Sequence, residues 1–248
     1  MRSIPQSLRV ELGVGSGYGP VEYAAFGADF DDKRRLTTGR LATVRQALAN
    51  QEVGTEGFTI QPPAGDFTRR IWQGVFSGAG AAYAAAAGSN LLLNRATYGY
   101  AEPTDEVQRP WAEEFLARWS QPHRPRIGLS RFIFPARDKQ AALAQIQDGV
   151  LRGAAGFVQR GQFPAGLSTE DYLKRFHAFY GHPDEITEAL RAERALPVAT
   201  DLIAQFNPGV PDHDAAVRAL ELIATKVAPA LGWSPATEPA RAAQPTAV

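Results

Sequence analysis

The sequence predicts an α/β protein of parallel strands joined by crossover helices. Three observations carry that expectation. Short apolar runs recur at Val10–Val14, Ile71–Phe76, Asn90–Asn94, Arg126–Phe134 and Thr200–Phe206. Each is followed by a polar or glycine-containing turn and then by a stretch of helical period. The first run empties into Gly13, Gly15, Gly17 and Gly19 at every second position, a backbone that lets a ligand approach its N–H groups. Such units build either an open doubly wound sheet or a (β/α)8 barrel. Their long, irregular spacing suits a barrel with insertions. A barrel needs eight units, and at about 30 residues each, three more would add on the order of 90 residues.

The elements follow in order. Val10, Leu12 and Val14 alternate with Arg9, Glu11 and Gly13, the period of a strand within Leu8–Tyr18. Pro20 suits the start of a turn or short helix. Asp29–Asp32 places acids at a helix start, and Leu36, Leu41, Val44 and Leu48 share a face up to Asn50. Phe58–Ile60 is a possible short strand before Pro62-Pro63. An alanine-rich helix is expected from Ala79 to Ala87, closed by Gly88. Helices are expected over Asp105–Trp119, from Asp138 to about Leu151, over Pro183–Arg194 and over Asp212–Leu231. Gly153–Gly181 is irregular, with Thr169–Phe179 as a candidate helix.

Bulk composition excludes several classes. Lys+Arg and Asp+Glu number 26 each, so the net charge is zero, which argues against a general electrostatic role on nucleic acid or an acidic membrane. There is no cysteine, hence no disulfide, thiolate metal site or cysteine nucleophile. No apolar run approaches a membrane span, and Met1–Pro5 has no signal-peptide core. A cytoplasmic protein is expected, with one domain over 1–233. Ser234–Val248, rich in Ala, Pro and Thr, is expected to be a disordered tail.

Candidate sites lie in the turns. The glycine turn fails the dinucleotide fingerprint, because Tyr18 or Pro20 stands where the third glycine belongs, and it lacks the G-K-[ST] of a P-loop. From spacing alone it is either a tight turn or a ligand loop. Ser77-Gly78-Ala79 joins a strand to a helix, so Ser77 is either a plain cap or part of a phosphate site. Arg95 ends the next strand and is either solvated or paired with an anion. Arg131, inside a strand pattern, is expected to be buried against an acid. The four histidines, His123, His177, His182 and His213, show no H-x-x-x-H or H-E-x-x-H pairing, so no metal site is expected. His177 alone sits among aromatics.

Four stretches resemble the luciferase-like flavin-dependent monooxygenases. Val10–Arg34 (V-E-L-G-V-G-S-G-Y-G-P-V-E-Y-A-A-F-G-A-D-F-D-D-K-R) is similar to the family's fourth strand, loop and helix start. Arg70–Gly74 resembles the fifth strand, Tyr180–Ile186 the G-x-P-E-x-V helix start, and Asp201–Gly209 the eighth strand and its loop. The resemblance implies a (β/α)8 TIM-barrel type that is incomplete, with about five βα units and the N-terminal three missing. Those three units supply part of the family's flavin pocket and often its acid–base histidine. Gly15, Ser16, Gly17 and Tyr18 would lie near flavin mononucleotide, and Ser77, Gly78 and Ala79 would bind its phosphate. The implied activity is oxidation of a small organic substrate by reduced FMN and O2, with a deazaflavin coenzyme as the alternative. A flavin reductase and a homodimer are the implied partners, and no catalytic residue is assigned. Two other readings stand beside it: a non-catalytic or degenerate flavin-binding protein, and a longer enzyme for which Met1 is a miscalled start.

Overall fold

A computed structural model describes residues 10–17 and 19–233 of the chain. Leu8, Arg9, Tyr18 and the expected tail lie outside the described residues. Parallel pairing dominates. The strands are β1 (Leu12–Val14), β2 (Ile71–Val75), β3 (Asn90–Leu93), β4 (Ile127–Pro135), β5 (Ala178–Gly181) and β6 (Asp201–Gln205). β1 pairs β2, β2 pairs β3 and β3 pairs β4 in sequence order. Leu129 of β4 is matched with Leu93 on one edge and with Leu202 of β6 on the other. The sheet is therefore an arc, β1-β2-β3-β4-β6, the open form of a TIM-type barrel. β5 lies beyond the end of β3, on the same edge of β4, where Phe132 is matched with Ala178.

Between the strands run α1 (Pro20–Ala25), α2 (Lys33–Leu48), α3 (Gly78–Ala86), α4 (Thr104–Arg118), α5 (Lys139–Gln159), α6 (Thr169–Arg175), α7 (Pro183–Arg191) and α8 (His213–Leu222). Side-chain oxygens fix several starts. Asp138 accepts from the Ala141 N–H at 2.7 Å, Ser168 from Asp171 at 3.1 Å and Asp212 from Ala215 at 2.8 Å. Gly88, at φ +65°, ends α3 as expected. Among the described residues no helix is long and apolar enough to cross a membrane.

Odd positions of β4 and their neighbours face α3, α4 and α7. Leu91, Leu93, Ile127 and Leu129 are fully buried, or nearly so, against α3 and α4. Ala81, Ala84 and Ala85 of α3 are fully buried, and small side chains let that helix lie close to the strands. Phe132 and Phe134 pack instead with Ile146 and Val150 of α5 and with Phe176. Full burial of each large apolar side chain contributes roughly 1.5–3 kcal/mol.

Four expectations are corrected. Phe58–Ile60 forms no strand; Val53 and Phe58 make a single antiparallel bridge. α5 continues past Leu151 to Gln159. Its Gly153, expected to begin an irregular stretch, lies inside the helix at a point of close approach, since a Cβ there would lie 2.5 Å from Pro208 Cβ. The helix expected to reach Phe179 stops at Arg175, because His177 adopts φ +51°, and Ala178–Gly181 then joins the sheet as a sixth strand. The last helix is not uniform: after α8 it passes through a π-helical turn, Ile223–Val227, before Ala228–Ala230.

Gly149 of α5 is tighter still. A Cβ would fall 1.9 Å from the Gly209 carbonyl oxygen in the loop after β6. Gly149→Ala is expected to cost roughly 3 kcal/mol by denaturant unfolding, because the contact is backbone and cannot rotate away. Gly39→Ala in α2, where a Cβ meets nothing within 4 Å, is expected to stabilise by about 0.5–1 kcal/mol in the same assay.

Candidate functional site

In parallel β/α proteins ligands bind at the C-terminal ends of the strands. Here those ends carry the Gly15–Gly19 turn, Phe76-Ser77, the loop from Asn94 to Pro103, Ala136–Asp138 and Phe206–Asp212. The concave face below them is apolar around Gly128 and carries a hydrogen-bonded Ser130–Gln205 pair further along β4 and β6. A Cβ on Gly128 would lie 3.0 Å from Leu92 Cδ1, 3.1 Å from Trp72 Cζ3 and 3.6 Å from Ile203 Cδ1. Side chains from β2, β3 and β6 thus converge on a β4 position that has none. Phe76 follows Trp72 and Gly74 in strand parity and is 63% exposed; Ile203 is 42% exposed.

The N-terminal end of the arc is closed by charge. Arg126 binds Asp201 through Nη2 at 2.6 Å and Glu11 through Nη1 at 2.8 Å. Its Cζ lies 4.6 Å from the Trp72 ring centroid, and Trp72 Nε1 donates to Glu11 at 2.8 Å. The Asp201 hydrogen bonds and, after the opposing burial, those of Glu11 hold the guanidinium above its ordinary pKa. The group is partly exposed, so each pair contributes at most about 1 kcal/mol.

The sequence-expected residues divide between two neighbouring strand ends. Ser77 caps α3, accepting from the Gly80 N–H at 3.2 Å. Helix geometry leaves the Gly78 and Ala79 N–H groups without an intrahelical acceptor. α3 starts close to α4, since a Cβ on Gly78 would meet Trp111 Cδ1 at 3.3 Å. One strand over, Gly15, Ser16 and Gly17 leave β1. Gly17 takes φ +69°, and the Tyr23 hydroxyl donates to the Ser16 carbonyl. Together with Tyr23, Phe26, Leu41 and Val44 these residues line a cleft of about 330 Å³ between β1, α1 and α2. Val14 is matched with Gln73, so the two turns leave adjacent strands on one face.

Beside the mouth lies a buried ionic network. Arg131, fully buried, donates through Nε to Glu193 at 2.8 Å and through Nη2 to Gln108 at 3.0 Å. Its Nη1 reaches the Ser130 and Asn94 carbonyls at 2.7 and 3.2 Å. Gln108 Nε2 in turn donates to Asn94 Oδ1 at 2.9 Å, fixing the end of β3. The expectation of a buried Arg131 against an acid is met. Burial pushes the Glu193 carboxyl up, but His177 and Arg131 outweigh it and hold it below its ordinary value.

The histidines supply no acid–base centre at the mouth. His177 lies 3.9 Å from Glu193 with its ring edge-on to Phe179. His182 caps α7, accepting from Asp184 N–H at 3.3 Å, His213 is the first residue of α8, and His123 packs against Trp119. Among the described residues no cluster of His, Asp or Glu could hold a metal ion. Sequence reasoning missed the convergence of Trp72, Leu92 and Ile203 on Gly128. Alternation outward from Gly74 and Gly128 was the signal available for it.

Residues 9–221 match the model of the luciferase-like monooxygenases, and the chain belongs to that family. No curated protein matches it in sequence. Among solved structures, its fold is similar to the monooxygenase RslO1 from Streptomyces bottropensis at a TM-score of 0.65 and 21% identity, over 88% of this chain and 68% of that one. The oxygenating constituent of 3,6-diketocamphane monooxygenase from Pseudomonas putida, in complex with FMN, gives 0.64 and 15%, over 89% and 70%. An F420-dependent secondary alcohol dehydrogenase in complex with an F420-acetone adduct gives 0.61 and 16%, over 91% and 71%.

Glu193→Gln is expected to cost about 3–5 kcal/mol in denaturant unfolding at pH 7, because it leaves the Arg131 charge buried and unpaired. The lowered carboxyl sets the pH dependence. Its contribution is complete above the ordinary value of 4.5 and is lost as pH falls through the lower folded value. The variant's unfolding free energy should lack that acid limb.

Proposed function

We propose that this chain binds the phosphate of reduced FMN at the start of α3 and serves oxidation of a small organic substrate by O2. The observation that carries the reading is the juxtaposition of an anion-accepting helix start with an apolar concave wall. Ser77 Oγ and the Gly78 and Ala79 N–H groups form a donor set suited to a phosphate dianion. Trp72, Phe76, Leu92 and Ile203 offer the apolar surface a flat ring system needs, and Phe76 leads directly into Ser77. Gly15 supports the approach of a ring from the β1 side, since a Cβ there meets nothing within 4 Å.

The bound flavin would supply the electrons that reduce dioxygen. The protein's share is to hold the phosphate, keep water from the concave face and orient the substrate there. A deazaflavin coenzyme is the alternative cofactor, supported by the F420-dependent relative in fold. A flavin reductase is the proposed source of reduced flavin and a second copy of the chain the proposed partner. The cytoplasm is the proposed location. The exposure of Ile203 and Phe76 supports a second reading, in which the chain binds flavin without turning it over.

Fluorescence titration with FMN and with riboflavin tests the reading. FMN is expected to bind at least tenfold tighter than riboflavin, and Ser77→Ala should erase most of that difference while costing about 1 kcal/mol of stability. Equal binding of the two flavins, or none, overturns it. Flavin bound but no substrate-dependent oxygen uptake selects the second reading.

A further inference from the structure

A second polar cluster lies on the same end of the sheet, in the loop that leaves β3. Asn94 is held by Gln108 and Arg131, so the next residue, Arg95, stands on a fixed support. Tyr98, three residues on, places its ring 4.5 Å from Phe157, 5.7 Å from Phe163 and 6.4 Å from Phe176. Three guanidinium groups lie on this aromatic cluster, one of them Arg175, whose Cζ is 5.7 Å from the Phe163 centroid. Arg95 Cζ is 5.9 Å from the Phe176 centroid, and Arg160 Cζ is 4.7 Å from that of Phe157. Burial pushes the Tyr98 phenol above its ordinary pKa against the charge and hydrogen bond of Arg95 and the charge of Arg160, so it remains an O–H donor.

The donors exceed the acceptors. Arg95 Nε is buried with no hydrogen-bond partner, and the only described group that approaches the buried Tyr98 Oη is the Arg95 side chain, itself a donor, so the phenol O–H has no acceptor. Among the described residues Arg160 reaches only the neutral Gln162, at 3.1 Å, and no ion pair involves Arg95 or Arg160. Buried polar groups are normally satisfied, and guanidinium groups favour planar oxyanions. A bland explanation covers Arg160 alone: it is the C-cap of α5, where a cation suits the helix dipole. It leaves Arg95 and the buried phenol unexplained.

We propose that Arg95, Tyr98 and Arg160 form a binding site for the oxyanion of a small ligand, a carboxylate or a phosphate. The site is separate from the start of α3 and does not depend on the flavin reading.

Isothermal titration of the full chain at low ionic strength, with inorganic phosphate and with benzoate, tests it. One of the two anions is expected to bind saturably at one site per chain, and the preferred one identifies the group. Arg95→Gln and Arg160→Gln should each weaken binding at least tenfold. Tyr98→Phe should abolish the anion-induced tyrosine difference spectrum near 290 nm, the usual region for a phenol. Arg175→Gln, a nearby arginine whose charge does not act on that phenol, should change affinity less than twofold. Arg160 is exposed, so its variant carries the test should Arg95→Gln fail to fold. Three results overturn the proposal: no binding of either anion, equal weakening by Arg175→Gln, or binding that Ser77→Ala removes and Arg160→Gln leaves intact.

Discussion

Arg131 is the constraint around which the mouth of the arc is arranged. A fully buried guanidinium is tolerated only when its donors are matched, and here they are shared among Glu193, Gln108 and two carbonyls. Those partners come from β3, β4, α4 and the turn after α7. One side chain therefore fixes the mutual placement of four elements, including the end of β3 from which Arg95 and Tyr98 depart. Against a total stability of about 5–15 kcal/mol, a penalty of several kcal/mol for disturbing it is decisive.

Much of the fold is legible in the sequence because parallel strands buried on both faces read as compact apolar runs. Ile71–Phe76, Asn90–Asn94 and Arg126–Phe134 announce themselves this way. Glycine and the turn after α6 mislead. Gly153 reads as the start of an irregular stretch, yet it lies within α5 and serves the close approach of Pro208, a contact between residues far apart in sequence. Likewise, no local pattern marks His177 as left-handed, and without that reversal Ala178–Gly181 continues the preceding helix on paper.

The site is legible in part. Ser77 before an alanine-rich helix declares a cap and an anion-accepting helix start through local rules alone. The concave wall depends on which parity of each strand faces inward, and the arc's curvature decides that across β2, β3, β4 and β6. The Arg95–Tyr98–Arg160 cluster is harder still, since its arginines come from separate connections that meet only over the rings of Phe157 and Phe176. The family relation fixes the fold and leaves the substrate to these variable loops.

Arg126 gives the arc a mechanical asymmetry. At the N-terminal rim it clasps both terminal strands of the arc, Glu11 ahead of β1 and Asp201 of β6, in one guanidinium. Among the described residues, no side-chain bond joins those two strands at the opposite rim. The described side chains therefore tie the two terminal strands at the base of the arc and not at the end that carries the candidate site. Because the clasp is electrostatic and partly exposed, rising ionic strength weakens the tie between the two ends of the sheet.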